Sequence, residues 1–287
     1  MNSAAAQSCA PTSPYAALIS AAVEQFDPIN LQEMDAVALL NRVDVKYILT
    51  PAQLLEALAP LQTSYRVLAV DKVRLNRYQT LYLDTPEFSL YRAHHNGSQN
   101  RYKVRFRTYV DSSLTFFEVK WKSNKGRTLK SRLRVTQPQP QLDSVLDEFL
   151  ATVLPTATPT LEAKLWNSFI RITLVNTTRI ERLTIDFALQ FDGGGKTTLA
   201  PNLVIAEVKQ NGFSRRSEFI HRMHTVRAVQ MSFSKYCIGA ALHYPHLKWN
   251  NFKPVFLRLH KMGAMPLSNT GDLAWCFTSR ATDDRIA

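Results

Sequence analysis

The segment Arg101-Tyr102-Lys103-Val104-Arg105-Phe106-Arg107 carries a cation at every second position. On an extended strand alternate side chains leave by opposite faces, so the four cations form one row and Tyr102, Val104 and Phe106 the other. Two later segments repeat the arrangement. Glu118, Lys120 and Lys122 alternate with Phe117, Val119 and Trp121, and Lys130, Arg132 and Arg134 lie against Leu129, Leu133 and Val135. Three such strands in succession make a cationic wall. Its apolar back requires a core, and its front requires a strongly anionic ligand of the polyphosphate kind, because each phosphate oxygen taken from water needs a charge-assisted donor in its place.

Acids are few and sit among these bases. Arg42, Asp44 and Lys46 share one face of a further strand, with Val43, Val45 and Tyr47 on the other. Glu118-x-Lys120 and Glu207-x-Lys209 each put an acid and a base on one strand face. On an open surface such a pair is worth only ~0–1 kcal/mol. Within a phosphate site the carboxylate becomes a ligand for Mg²⁺ or Mn²⁺, which bind through one or two carboxylates completed by substrate oxygens. Arg171 lies between Ile170 and Ile172, Arg179 and Arg182 flank Glu181, and Asp186 follows Arg182 by two strand steps. Ser234-Lys235 stands at a predicted helix start, where the hydroxyl caps the helix and the pair can bind a terminal phosphate.

Other chemistries lack their motifs. No HExxH, GxSxG or GxGxxG occurs, and Gly193-Gly194-Gly195-Lys196-Thr197 lacks the spacing of a phosphate-binding loop and reads as a hairpin turn. The seven histidines show no metal-ligand spacing. The bases alternate with core residues along strands rather than forming an exposed run or a helical stripe, so nucleic acid is not the expected partner.

The elements that must hold these residues are mostly strands. Val43–Leu49, Tyr65–Val70, Arg74–Leu83, Arg101–Val110, Leu114–Lys122, Arg127–Val135, Phe169–Val175, Thr178–Gln190 and Leu203–Lys209 read as extended. Short polar connections at 111–113 and 123–126 predict antiparallel hairpins. Thr50-Pro51 opens a helix through Ala59, Asp84 or Thr85 caps a short helix towards His94, a helix runs from Asp143 to Leu154, and Ser214–Tyr244 is mostly helical. Two short helices are expected between Ala16 and Leu40. The fold expected is α+β, an eight-stranded antiparallel β-barrel with flanking helices.

The 287 residues are 45% hydrophobic, enough for a large core. Thirty-five Lys and Arg against 23 Asp and Glu leave a formal charge of +12, which again asks for an anionic partner. Three cysteines without paired spacing argue against a disulfide framework or a structural zinc site. The absence of a signal-like N-terminus or a membrane-length apolar run predicts a cytoplasmic protein. Residues 1–16 are expected to be a disordered leader, 17–245 the functional domain, and 246–287 an extension of undetermined role.

The ordered set Arg42-x-Asp44-x-Lys46-Tyr47, Leu81-Tyr-Leu-Asp84-Thr85, Arg101-x-Lys103-x-Arg105-x-Arg107-x-Tyr109, Glu118-x-Lys120, Glu207-x-Lys209 and Phe233-Ser234-Lys235-Tyr236 resembles the VTC domain. That domain is the catalytic module of the vacuolar transporter chaperone polyphosphate polymerase, within the triphosphate tunnel metalloenzymes. The resemblance implies a tunnel in which the γ-phosphate of ATP passes to a growing polyphosphate chain. It implies that Lys46, Arg105, Arg107, Lys120 and Lys130 bind phosphates from one side and Arg171 and Arg179 from the other. Glu207 would hold Mn²⁺ or Mg²⁺, Ser234 and Lys235 would guard the tunnel end, and Arg42, Arg101, Lys103, Lys122, Arg132 and Lys209 would add to the phosphate-binding wall. The hydrolase branch carries a Glu-x-Glu-x-Lys strand; Arg42 and Asp44 stand in those places here, as in the polymerase branch. The phosphate-sensing domain and transmembrane segments of the membrane-bound polymerases have no counterpart, so translocation would need a membrane-protein partner.

Three functions use this wall differently: a metal-dependent polymerase, a tripolyphosphate or nucleoside-triphosphate hydrolase in which Glu118, Asp186 and Glu207 share the metal, and a polyphosphate-binding module without turnover.

Overall fold

A computed structural model describes residues 15–35, 42–124, 128–154, 160–212, 214 and 216–264, apart from the side chains of Asp35 and Arg42. The expected leader over 1–16 falls almost wholly outside the described residues, as does the Arg42 side chain assigned to the wall.

Among the described residues the chain forms eight helices and twelve strands. The N-terminal part is α1 (Ala16–Glu24), β1 (Pro28–Ile29), α2 (Leu31–Asp35), β2 (Arg42–Leu49), α3 (Pro51–Leu58) and β3 (Tyr65–Leu68). Then come β4 (Asn76–Asp84), α4 (Ser89–His95), β5 (Arg101–Tyr109), β6 (Leu114–Lys122), β7 (Thr128–Val135) and α5 (Ser144–Val153). The chain continues through β8 (Glu162–Asn176), β9 (Glu181–Gly193), β10 (Lys196–Ala200), β11 (Val204–Asn211), α6 (Glu218–Thr225) and β12 (Val229–Gln230). It ends with α7 (Lys235–His243) and α8 (Lys253–Lys261).

Local chemistry sets many of these boundaries. Thr50 and Gln53 form a reciprocal capping box, with Pro51 at the first helical position of α3. Asp143 caps α5 and Ser234 caps α7. Both residues proposed to start α4 contribute: the Asp84 carboxylate accepts the backbone N–H groups of Thr85, Leu90 and Tyr91, and Thr85 Oγ1 accepts that of Ser89. The glycine turn joins β9 to β10, with Gly194 and Gly195 at φ +53° and +73°, the left-handed region that glycine enters without strain.

Four expectations are corrected. β8 begins at Glu162, seven residues before the expected start, and β9 begins at Glu181 rather than Thr178. The helical reading of 214–244 resolves into α6, a short strand and α7. The hydrogen-bonded ladder runs β12-β2-β11-β9-β8-β4-β5-β6-β7, and among the described residues it does not close from β7 back to β2 or β12.

The sheet is nevertheless rolled. β6 and β11 are five strands apart in the ladder, which in a flat sheet is roughly 24 Å. Yet the charges of Glu207 on β11 and Lys46 on β2 both act on Lys120 of β6. Register puts Lys46, Glu207, Thr184, Asp186, Arg171, Arg105, Glu118 and Lys130 on the inner face.

Apolar packing fixes the curvature. On the outer face, Ile19 and Val23 of α1, Leu54 and Leu58 of α3 and Phe219 and Met223 of α6 bury against Val45, Tyr47, Ile172, Ile185 and Val208. Leu146 and Leu150, one turn apart on α5, cover Phe106, Phe117 and Val119, each leucine contributing about 2 kcal/mol. At one end the inner face turns apolar, and Leu165, Phe169, Phe191 and Ile205 pack with Tyr236, Cys237 and Ala240 of α7 and Phe256 and Leu259 of α8. The described residues after Tyr244, up to Ala264, therefore pack on the same core. Gly239 permits this close approach, since a Cβ there would lie 2.5 Å from a Leu165 methyl and 2.7 Å from the Phe191 ring.

Candidate functional site: a cationic tunnel with three clasped carboxylates

Each inner acid is held by cations. Glu118, 1% exposed, accepts from Arg105 Nε at 2.8 Å and lies 2.7 Å from Arg105 Nη2, 2.6 Å from Lys130 Nζ and 4.0 Å from Arg107 Nη1. Burial alone would raise its pKa, but the fields of Arg105, Arg107 and Lys130 outweigh burial and hold the carboxyl at about 2. Asp186 receives Arg171 in a two-pronged contact, Nε at 2.6 Å and Nη2 at 2.7 Å, while Lys235 from α7 meets its second oxygen. Burial opposes ionisation there too, and the two cations overcome it, keeping Asp186 far below the usual carboxylate range. Glu207 lies 2.8 Å from Lys46 and 3.6 Å from Lys209, and these cations likewise keep it ionised against burial.

An aromatic floor supports the cations from below. Tyr78 stacks on Phe169 at 5.2 Å; Arg171 lies over both rings, Arg107 over Tyr78 and Lys235 over Phe169 at 4.3 Å. Lys103 Nζ donates to Ser234 Oγ at 2.9 Å, the same hydroxyl that caps α7, so the helix start is tied to the opposite wall.

The structure thus gathers Lys46, Arg105, Arg107, Lys120, Lys130, Arg171, Lys209, Ser234 and Lys235 around one lumen. Arg101, Lys103 and Lys122 stand on the same face where β5 starts and β6 ends, and Arg132, exposed on β7, lies 4.8 Å over the Phe116 ring. Arg179 is the exception. It is exposed in the turn before β9, its backbone N–H donating to Asn176 Oδ1, because the strand starts three residues later than the sequence suggested. Arg182 occupies the inner face instead, opposite Lys209. The two-residue spacing Arg182, Thr184, Asp186 carried that signal.

The metal assignment narrows. Among the described residues no three His, Cys, Asp or Glu side chains gather as a metal cage. Each stands on its own strand within its own set of cations. Beside Glu207 stands a further acid, Asp44, missed as a ligand in the sequence. Two carboxylates facing a cation-lined lumen suit Mg²⁺ or Mn²⁺, which complete their shells with water and phosphate oxygens.

Lys209 is expected to set an upper pH limit on ligand binding. Burial lowers its pKa to about 8, with Glu207 partly opposing. An anion favours the charged lysine, so binding raises that value. Below about 8 the free lysine is already protonated and affinity is full; above it each binding event must also take up a proton and affinity falls. Titrating tripolyphosphate from pH 7 to 9.5 should show weakening from near pH 8. Constant affinity to pH 9.5 would remove Lys209 from the site.

An antiparallel sheet rolled around a lumen of this charge defines a triphosphate-tunnel protein. The VTC domain model matches residues 41–244, and the chain belongs to that family. Among solved structures it is similar to a proposed adenylate cyclase from Vibrio parahaemolyticus, at 14% identity over 68% of this chain and 95% of that one, with a TM-score of 0.41. It is also similar to a proposed adenylate cyclase from Bacillus halodurans (13%, 68% and 94%, TM-score 0.43). A third is a proposed adenylyl cyclase from Hippeastrum with a dominant triphosphatase activity (12%, 70% and 95%, TM-score 0.43). No curated protein sequence matches the chain. Among the described residues, no helix is long and apolar enough to cross a membrane.

Proposed function

We propose that this protein is a metal-dependent polyphosphate polymerase that moves the γ-phosphate of ATP onto a polyphosphate chain lying in the tunnel. The observation that carries this reading is the clasping of Glu118, Asp186 and Glu207 by six close cations, with Arg107 a seventh at longer range. A carboxylate so held is a poor base for activating water, and an acceptor phosphate oxygen needs no base because it is already anionic.

Phosphoryl transfer is chiefly positioning and charge stabilisation, so no protein nucleophile is required. Lys46, Arg105, Arg107, Lys120, Lys130 and Arg171 bind and align the phosphates, with Arg182 taking the place first given to Arg179. Asp186 and the aromatic floor hold Arg171 and Lys235 in place before substrate arrives, so little reorganisation accompanies binding. Glu207 with Asp44 would hold the metal, which supplies charge neutralisation at the transferring phosphate. Ser234 and Lys235 hold the tunnel end. Coupling synthesis to translocation would fall to a membrane-protein partner.

Incubation with ATP and Mn²⁺ followed by ³¹P NMR tests the reading. Internal polyphosphate resonances appearing together with ADP are the expected result. Orthophosphate as the sole new product would make the protein a hydrolase, and bound but unchanged ATP would make it a sensor.

A further inference from the structure

Ser234, Lys235 and Tyr236 open α7, and each is fastened to a different strand. Ser234 Oγ accepts from Lys103 of β5 at 2.9 Å, and Lys235 meets Asp186 of β9. The Tyr236 hydroxyl donates to Asp84 Oδ2 at the end of β4. The first two fastenings are made by lysines of the lumen, and an incoming phosphate competes for both. The third stands apart from them. Asp84 is fully buried, and the four donors it accepts from are uncharged. Thr85 and Leu90 N–H donate to Oδ1, Tyr91 N–H donates to Oδ2, each at 2.8 Å, and the Tyr236 hydroxyl is the fourth.

A buried carboxylate short of donors is costly, so its geometry is narrowly set by the groups that satisfy it. Three of the four are backbone groups of the turn after β4 and the start of α4, and they give the Asp84 carboxylate one orientation. That orientation passes to Tyr236. The tyrosine ring is held on its face by Tyr82, stacked at 5.1 Å, and edge-on by Tyr91 at 6.4 Å. Lys235 is the next residue back along the chain, so the same contacts fix where its side chain sets out. The segment Leu81-Tyr82-Leu83-Asp84-Thr85, to which the phosphate wall gives no part, thus supplies both the ring and the acceptor that hold Tyr236.

We propose that Asp84 is a positioning residue, which acts through the Tyr236 hydroxyl to place the Lys235 ammonium at the tunnel end. The inference rests on the tunnel reading above and deepens it. Asp84 touches no phosphate itself. When phosphate draws Lys103 away from Ser234 and Lys235 away from Asp186, the Asp84–Tyr236 bond is the fastening that does not have to yield. Lys235 then meets the ligand from a fixed backbone, and little ordering is left to accompany binding.

Isothermal titration with sodium tripolyphosphate of wild type, Tyr236→Phe, Lys235→Ala and the double variant tests this as a double-mutant cycle. Tyr236→Phe keeps the ring and removes only the hydroxyl. It is expected to weaken binding about tenfold when Lys235 is present and less than about twofold when Lys235 is already alanine. A merely structural bond would act on every phosphate contact alike. Equal weakening in both backgrounds, or a lowered melting temperature with unchanged affinity, therefore overturns the positioning role and leaves the tunnel reading intact. Absence of binding by wild type overturns the tunnel reading, and the positioning role with it. Should Tyr236→Phe fail to fold, Asp84→Asn, which keeps the shape of the carboxylate and removes its charge, is titrated in the same two backgrounds and judged by the same outcomes.

Discussion

Glu207→Gln is expected to lower Mn²⁺-dependent ATP turnover by at least about 100-fold while leaving metal-free tripolyphosphate binding intact or tighter. Loss of an outer-shell partner of a metal ligand already costs 10–100-fold, and a direct ligand should cost no less. The amide keeps the shape of the carboxylate but removes its charge, so Asp44 is left to hold the metal without it. Binding moves the other way because Lys46, 2.8 Å from Glu207, and Lys209, at 3.6 Å, lose their internal counter-charge and become freer to meet phosphate. Turnover with Mn²⁺ and isothermal titration without metal separate the two effects. Unchanged turnover would take Glu207 out of the metal site, and parallel loss of binding and turnover would show a structural role.

Asp186→Asn should destabilise the protein in the absence of ligand by about 3 kcal/mol. The carboxylate is buried and holds Arg171 by two nitrogens and Lys235 by one, both cations being largely buried themselves. Removing the charge leaves two largely buried cations facing each other without their shared counter-charge. The melting temperature should drop by roughly 5–10 °C. Tripolyphosphate supplies the missing anion, so the rise in melting temperature on adding it should be larger for Asp186→Asn than for wild type, beyond the ordinary gain from mass action. Thermal melts of both proteins with and without tripolyphosphate test this. Equal ligand-induced shifts would mean that Asp186 is not acting as a stand-in for bound phosphate.

Both predictions concern residues whose types were plain in the sequence and whose pairings were not. Alternation along β5, β6 and β7 identified the cationic row, because the two-residue period of a strand is a local property of the backbone. Local capping chemistry likewise placed α3, α4, α5 and the start of α7. Arg179 was assigned to the wall by the resemblance, within a strand read as starting at Thr178. The start of β9 depends on pairing with β8 and β11, which no local pattern encodes. Asp44 was visible as a departure from an acidic motif, but its neighbour Glu207 lies 163 positions away and meets it only through the β2–β11 ladder.

The sequence by itself determined that this chain carries strands with one apolar and one cationic face, a pattern that calls for an anionic ligand. Only the tertiary structure decided which acids serve the cations and which can serve a metal. Rolling the sheet brings β6 towards β11 and inserts Lys235 of α7 beside Asp186. The energy of a charge depends on distances of a few ångströms and on how much water is excluded, and both are set by packing among residues far apart in the chain.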